Sequence, residues 1–258
     1  MTANYQILTK KQNDTFCWIP PVDLTYVAGQ PLLPIHAGEL AAVASTMPLA
    51  IAQHDGQWQL MAVAGLQPQH NLFVHQGQWV GRYQPRSVAT YDFDLHTVGN
   101  LSFLRFNLNG KLAAAADQPG AQPLMNADGS LIPAVQAIQD QLQKDSPLFA
   151  RTQKAVQALV DADVLMPWPA ALTEQLGMKL DGLYCLNEAA LATLADQDFL
   201  GLRQAQALGI AYAVNLSLQQ GHLLLRLQKH NPAIDAPADV DALFGEGLGD
   251  DDTLKFNF

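Results

Sequence analysis

Positive charge is what this chain has least of. Lys and Arg number 14 against 24 Asp and Glu, a net charge of −10 over 258 residues. Nucleic-acid binding draws its affinity from cations set against phosphates. No basic cluster or stripe is present, so no nucleic-acid partner is expected. An anionic membrane surface is disfavoured on the same ground. Charge of either sign is thin: Asp, Glu, Lys and Arg make up 15%, below the roughly 25% usual in soluble domains. The surface must lean on Gln, Asn, Thr and Ser, which tolerates association better than a highly charged one.

Long apolar runs are missing as well. A membrane helix needs roughly 18–20 unbroken apolar residues. The most apolar stretches, 40–66 and 208–227, are interrupted by Gln53, His54, Asp55, Gln57 and Gln59, and by Asn215, Gln219, Gln220, His222 and Arg226. Both read as core, and no membrane insertion is expected. The opening residues, Met1 to Gln6, lack a basic region followed by an apolar run, so a cytoplasmic location is expected. Cysteine is nearly absent: Cys17 and Cys185, far apart and outside any Cys-x-x-Cys pattern, are expected to be reduced and buried.

Several catalytic phrases are absent too. There is no Gly-x-Ser-x-Gly elbow, no Gly-x-x-x-x-Gly-Lys and no Gly-x-Gly-x-x-Gly. Gly245-Glu-Gly-Leu-Gly249 has neither a leading strand nor a following helix and reads as a hinge. With Asp250 to Leu254 it resembles one copy of a calcium-binding glycine-aspartate repeat, and one copy cannot build a β-roll. No cofactor is expected.

What is present is a hydrophobic fraction of 49%, enough for a sizeable core. Residues 1–35 are punctuated by Pro20, Pro21, Pro31 and Pro34 and read as extended. Residues 35–46 predict a short helix with Glu39 in its middle, stopped by Pro48. Residues 49–109 predict β structure. Leu49–Ala52 and Trp58–Leu66 form a hairpin about His54–Gln57. Asn71–His75 and Trp79–Tyr83 form a second about Gln76–Gly77, and 100–109 alternates like a strand. Residues 110–129 read as loop. Apolar positions from Val135 to Leu165 follow helical spacing, with Pro147 predicting two helices or one kinked. Residues 170–187 predict a hairpin, Ala171–Leu176 against Lys179–Leu186. Asn187 is expected to cap helices over 188–195 and 197–230, the second broken near Gly209 or packed closely at its glycines. The fold expected is α+β: a globular unit over 1–231, β-rich over 1–110 and mainly helical over 130–231, and then an acidic, flexible tail over 232–258.

These phrases, in order, resemble the SapC family of bacterial proteins over most of residues 4–230. They are Gln30-Pro-Leu-Leu-Pro-Ile with Glu39 following, Met47-Pro-Leu-Ala-Ile, Ala64-Gly-Leu-Gln-Pro-Gln-His-Asn-Leu-Phe-Val, and Gly77-Gln-Trp-Val-Gly-Arg-Tyr-Gln-Pro. Leu180-Asp-Gly-Leu-Tyr-Cys-Leu-Asn-Glu188 and Tyr212-Ala-Val-Asn-Leu-Ser-Leu complete the set. The family's Tyr-Pro-Phe phrase carries arginine and proline where this chain has Ala89, Thr90 and Asp92. The resemblance implies an accessory role, in a family named for a bacterial surface array and found beside flavin-dependent halogenase-like proteins and outer-membrane receptors. It supplies no catalytic residues. The label of peptide-transporter permease given to some members conflicts with the interrupted apolar stretches.

Two sets of residues are candidates for function. Glu39, set among alanines, is a candidate general acid or base. With His36, or with His54, His70, His75 and Asp94/His96, it is a candidate metal ligand, although His-x-Asp/Glu spacing is absent. The preferred reading has Glu39 pair with Arg82 or Arg86 and fix the packing. The second set is the tail, where Leu254, Phe256 and Phe258 follow an acidic stretch. It reads either as a docking peptide with aromatic anchors or as an edge strand on its own domain. The reading chosen is a non-catalytic interaction protein that binds a protein or peptide partner; the alternative is a metal-dependent enzyme about Glu39.

Overall fold

The structure is a computed structural model that describes residues 3–9, 16–54, 56–99 and 101–230. The tail residues Leu254, Phe256 and Phe258 lie outside the described residues. Along the chain, β1 (Tyr5–Ile7), β2 (Cys17–Trp18) and β3 (Leu32–Pro34) lead to α1 (Leu40–Ala44), β4 (Leu49–His54) and β5 (Gln57–Val63). The short pair β6 (Val74–His75) and β7 (Gln78–Trp79) follows, then β8 (Phe93–Val98), β9 (Leu101–Asn107), β10 (Ala113–Ala114) and β11 (Gln122–Pro123). The C-terminal half comprises α2 (Pro133–Asp161), β12 (Leu165–Pro167), α3 (Ala170–Leu176), β13 (Tyr184–Leu186), α4 (Glu188–Ala192), α5 (Asp196–Gln204), α6 (Ala207–Ser217) and α7 (Gly221–His230). The fold class is α+β, as the sequence predicts.

The central sheet has the order β12-β13-β4-β5-β3 and is antiparallel throughout. Leu49 to Ala52 and Leu60 to Val63 are all buried. Strands covered on both faces read as continuous apolar runs, not as alternation. Helix α2 lies against β5, α6 lies against β4 and β13, and the two helices meet each other. Side chains lock this contact. Ser217 accepts from Leu49 N at 2.8 Å, and the Asn215 amide pairs with Leu186 N at 2.9 Å and Leu186 O at 3.1 Å. Asn215 thus imitates a further strand residue beside β13, and it also donates to Glu188 at 2.9 Å.

A second, smaller core forms where β8 and β9 fold over β2. Phe93, Phe106, Leu104, Trp18 and Val135 are buried there, with Trp18 edge-on to Phe93 at 5.7 Å. Asp92 anchors this corner: its carboxylate accepts from Leu112 N at 2.9 Å and from the Asn107 amide at 3.3 Å. Burial pushes the Asp92 carboxyl above the usual range despite those donors. A carboxyl raised in the fold binds its proton more tightly there than in the unfolded chain. Its contribution is therefore full below about pH 4 and is lost as pH rises through the folded value. The stability of Asp92→Asn relative to the parent should accordingly be greatest at neutral pH and shrink toward pH 4, measured by denaturant melts at both pH values.

One sequence expectation is corrected and two are refined. Ala171–Leu176 is helix α3 and not a strand: Pro169 starts it and Gly177, at φ 60°, ends it. The strand that pairs with Tyr184–Leu186 is Leu165–Pro167. Residues 132–165 hold one 29-residue helix through Pro147, ending at Asp161. The apolar run over 197–230 breaks near Gly209, at Gln206 with φ 58°, and again at Leu218–Gln220. Both cysteines are free and buried, as expected. Burial, with Glu188 nearby, pushes the Cys185 thiol up to about 11. At pH 8 a thiol reagent should leave Cys185 unmodified until the protein is unfolded, as read by intact mass.

Candidate functional site

The elements that bring polar groups inside meet where β3 gives way to α1. His36, Glu39 and Asp145 are 0%, 3% and 3% exposed, and charged side chains are seldom so covered unless paired. His36 caps the 3-10 turn at Ala37–Glu39. Its Nδ1 accepts from Gly38 N at 3.1 Å, and Glu39 Oε1 reaches back to His36 N at 3.3 Å. This reciprocal arrangement satisfies two orphan amides of the turn. It also fixes the neutral ring's tautomer, because a nitrogen that accepts cannot carry the proton.

The protonated Nε2 therefore faces acid. Asp145 Oδ1 lies at 3.3 Å and Glu39 Oε1 at 3.8 Å, though neither makes a well-aligned bond to it. Helix α2 supplies the opposite wall at helical spacing: Asp145, Leu148, Phe149 and Thr152. Phe149 sits edge-on to the His36 ring at 5.0 Å. Thr152 Oγ1 accepts from Ala37 N at 2.8 Å and donates to Leu148 O at 2.8 Å.

The third wall is the loop after β7. Glu39 Oε2 accepts from the Tyr83 hydroxyl at 3.0 Å and from Arg86 N at 3.1 Å. The Arg86 guanidinium turns instead to Asp145 Oδ1 at 3.0 Å, and Gln141 donates to Asp145 Oδ2 at 2.6 Å. Desolvation, the Glu39 charge and the bond to Glu39 all raise the Tyr83 hydroxyl above its ordinary value, so it stays a donor. Arg86 did appear in the sequence as a partner for Glu39. The contact is made by its backbone amide, while its side chain serves Asp145. Asp145 and Gln141 were missed, since a Gln- and Asp-rich stretch of a long helix reads as a solvated face.

The other candidate histidines are spread out. His54 ends β4, His70 lies in the loop before β6, His75 is in β6, and His96 is in β8 beside Thr97. Asp94 binds Arg105 on the neighbouring strand, with Arg105 Nε at 2.7 Å. Among the described residues, no three His, Cys, Asp or Glu are arranged to hold a metal ion. Two cavities lie off the Glu39–Asp145 pair, and the second shares Phe149 and Thr152 with the wall beside His36. One of about 350 Å3 is lined by Phe16, Cys17 and Ala113–Ala115. One of about 250 Å3 lies between β5 and α2, lined by Gln57, Gln59, Phe149 and Gln153. Neither is lined by Glu39 or Asp145.

The architecture defines an α+β protein whose densest polar cluster is tied into its packing. The chain belongs to the SapC family, whose sequence profile matches residues 8–224. Neither a curated protein nor a solved structure matches it significantly. No helix among the described residues is long and apolar enough to cross a membrane. Asp92 adopts φ 64°, a conformation that proline cannot reach.

Proposed function

We propose that this SapC-family chain is a non-catalytic accessory protein that binds a protein or peptide partner. The observation that carries the reading is helix α6. Its sequence, Ala-Leu-Gly-Ile-Ala-Tyr-Ala-Val-Asn-Leu-Ser, is apolar on nearly every side, a composition ordinarily found in fully buried helices. Yet Tyr212 is 46% and Leu216 73% exposed, and Phe199 and Leu200 of the neighbouring α5 are exposed as well. Apolar side chains grouped on adjoining helices favour a contact surface over a solvated one. The tail adds acidic residues that steer encounter and the anchors Leu254, Phe256 and Phe258 for a partner's pocket. A halogenase-like protein or an outer-membrane receptor of the same pathway is the proposed kind of partner.

Pull-down from the native cell extract tests this, with full-length chain, chain ending at His230, and Leu216→Glu in the full chain. Reduced recovery of one shared partner by both variants is expected. Equal recovery by all three would refute the reading.

A second reading, a metal-dependent enzyme about Glu39, rests on the His36 Nε2 lying 3.3 Å from Asp145 and 3.8 Å from Glu39, against the finding that no three such groups among the described residues are arranged to hold a metal ion. Metal analysis of purified protein decides it. A stoichiometric transition metal lost in His36→Ala would replace the binding reading.

A further inference from the structure

Strand β5 is covered by β3 along only part of its length. The two pair from Leu32↔Val63 to Pro34↔Met61, and the last bond of this edge runs from Ile35 N to Leu60 O at 3.0 Å. The chain then turns away into the 3-10 turn capped by His36. On its other side β5 stays paired with β4 as far as His54↔Gln57. Over Gln57–Gln59 the β3 side of the strand is therefore bare, and a bare strand edge is a template for a further strand. Gln57 is exposed there, and Trp58 and Gln59 are half-buried.

The register shows which groups that edge presents. Val63 N donates to Pro48 O at 2.8 Å. Bonded pairs alternate in an antiparallel ladder, so Met61, Gln59 and Gln57 bond to β4, while Leu60 and Trp58 face the β3 side. Ile35 meets Leu60, but no described residue takes up the Trp58 backbone N–H or C=O. Helix α2 packs along β5, yet strand and helix part at this end. The cavity of about 250 Å3 lies between them, bounded by Leu60, by Gln57 and Gln59 on either side of Trp58, and by Phe149, Ala150 and Gln153 of α2. Among the described residues, none hydrogen-bonds the side-chain amides of Gln57, Gln59 or Gln153.

We propose that this groove binds an extended peptide segment of a partner protein, added to β5 at Trp58, with one uncharged side chain in the cavity. The proposal rests on the reading of the chain as a binder of a protein or peptide, and it adds a contact besides the patch on α5 and α6. A peptide main chain carries N–H and C=O at the spacing of a strand, as the bare edge requires. A primary amide both donates and accepts, so the three glutamines can bond the peptide units on either side. No residue lining the cavity is charged, and a charged side chain there would be buried without a partner. The volume falls below the roughly 300–1,000 Å3 of pockets for drug-sized ligands, and it suits a single side chain. Strand addition takes affinity from the main chain and specificity from the side-chain pocket.

Fluorescence polarisation with the full chain tests this, using the labelled, end-blocked peptide Ser-Thr-Val-X-Val-Thr-Ser in which X is Leu, Gln, Glu or Lys. The Leu and Gln peptides should bind at least tenfold more tightly than the Glu and Lys peptides. N-methylation of alternate backbone amides should weaken binding tenfold or more, and N-methylation of the intervening ones should change it little. No binding of the Leu or Gln peptide at about 1 mM, or equal loss at every methylated amide, overturns the proposal. Ala150 is exposed on α2, and Ala150→Trp should fill the mouth of the groove and weaken binding tenfold at an unchanged Tm. Equal binding by that variant also overturns it. Pull-down separates the two proposals: a partner lost by Leu216→Glu but kept by Ala150→Trp refutes the groove and leaves the partner-binding reading standing.

Discussion

Gly65→Ala is expected to destabilise the fold by about 3 kcal/mol or more, a mechanism of overpacking against backbone. Three chain segments cross at this residue. Ala64 N donates to Pro31 O at 2.7 Å, and Leu72 N donates to Ala64 O at 2.8 Å. A Cβ on Gly65 would stand 1.9 Å from His70 O and 3.1 Å from Pro31 Cβ. Backbone cannot swing aside as a side chain does, so the three segments must part. The glycine is required by this close approach and not by a left-handed conformation. For a chain of this size the loss corresponds to a fall in Tm of roughly 6–12 °C. Gly201→Ala and Gly209→Ala are the matched controls. Both lie in helices with nothing within 4 Å of the added carbon, and each should gain about 0.5–1 kcal/mol from reduced backbone entropy. Thermal melts of the three variants give the test. A Gly65→Ala protein that melts with the parent would contradict the crossing.

The hairpins β4/β5 and β6/β7 could be read from the sequence because local signals agree there, whereas of β8/β9 only the second strand was legible. A turn at Gly56 or Gly77 is flanked by residues whose pattern suits a strand. Ala171–Leu176 was misread because its apolar content suits either element. The deciding marks were the helix-starting Pro169 and the left-handed Gly177, with the proline-before, glycine-after order of a helix. The break expected near Gly209 falls at Gln206, because the propensity cost of Gly209, about 1 kcal/mol, is smaller than the packing of Ile210, Ala211 and Val214. Gln206, in a left-handed conformation, gives no sequence sign of the turn it makes. The polar cluster divides the same way. His36 and Glu39 are three residues apart and suggest a pair, whereas Asp145 joins them only because α2 packs over that turn. The family phrases have a structural meaning that spacing could not give. Pro31 meets Gly65, Glu39 meets Tyr83, and Asn215 meets Leu186, so phrases distant in sequence are contacts in the fold.

Glu39→Ala is expected to cost about 3 kcal/mol, from a cavity and from donors left without an acceptor. The carboxylate takes three: His36 N and Arg86 N from the backbone, and the Tyr83 hydroxyl. Water can reach Tyr83 and Arg86, which lie nearer the surface, but not His36. Glu39→Gln keeps the shape and should still cost about 1–2 kcal/mol. Its amide presents hydrogens where Glu39 presents lone pairs, and every nearby group on that side is a donor. Tyr83→Phe removes one of two donors to Oε2 and should cost only about 1 kcal/mol. The expected order is therefore Ala, then Gln, then the Tyr83 variant, read as denaturant midpoints at unchanged slope. A general acid or base placed for chemistry gives a different outcome, because such a group is reachable by substrate and its removal spares stability. If Glu39→Ala unfolds with the parent, the carboxylate is not the tie between the turn, the β7 loop and α2 that its bonds describe. If the order holds, the most buried acid among the described residues of the N-terminal half is a fastening of the fold.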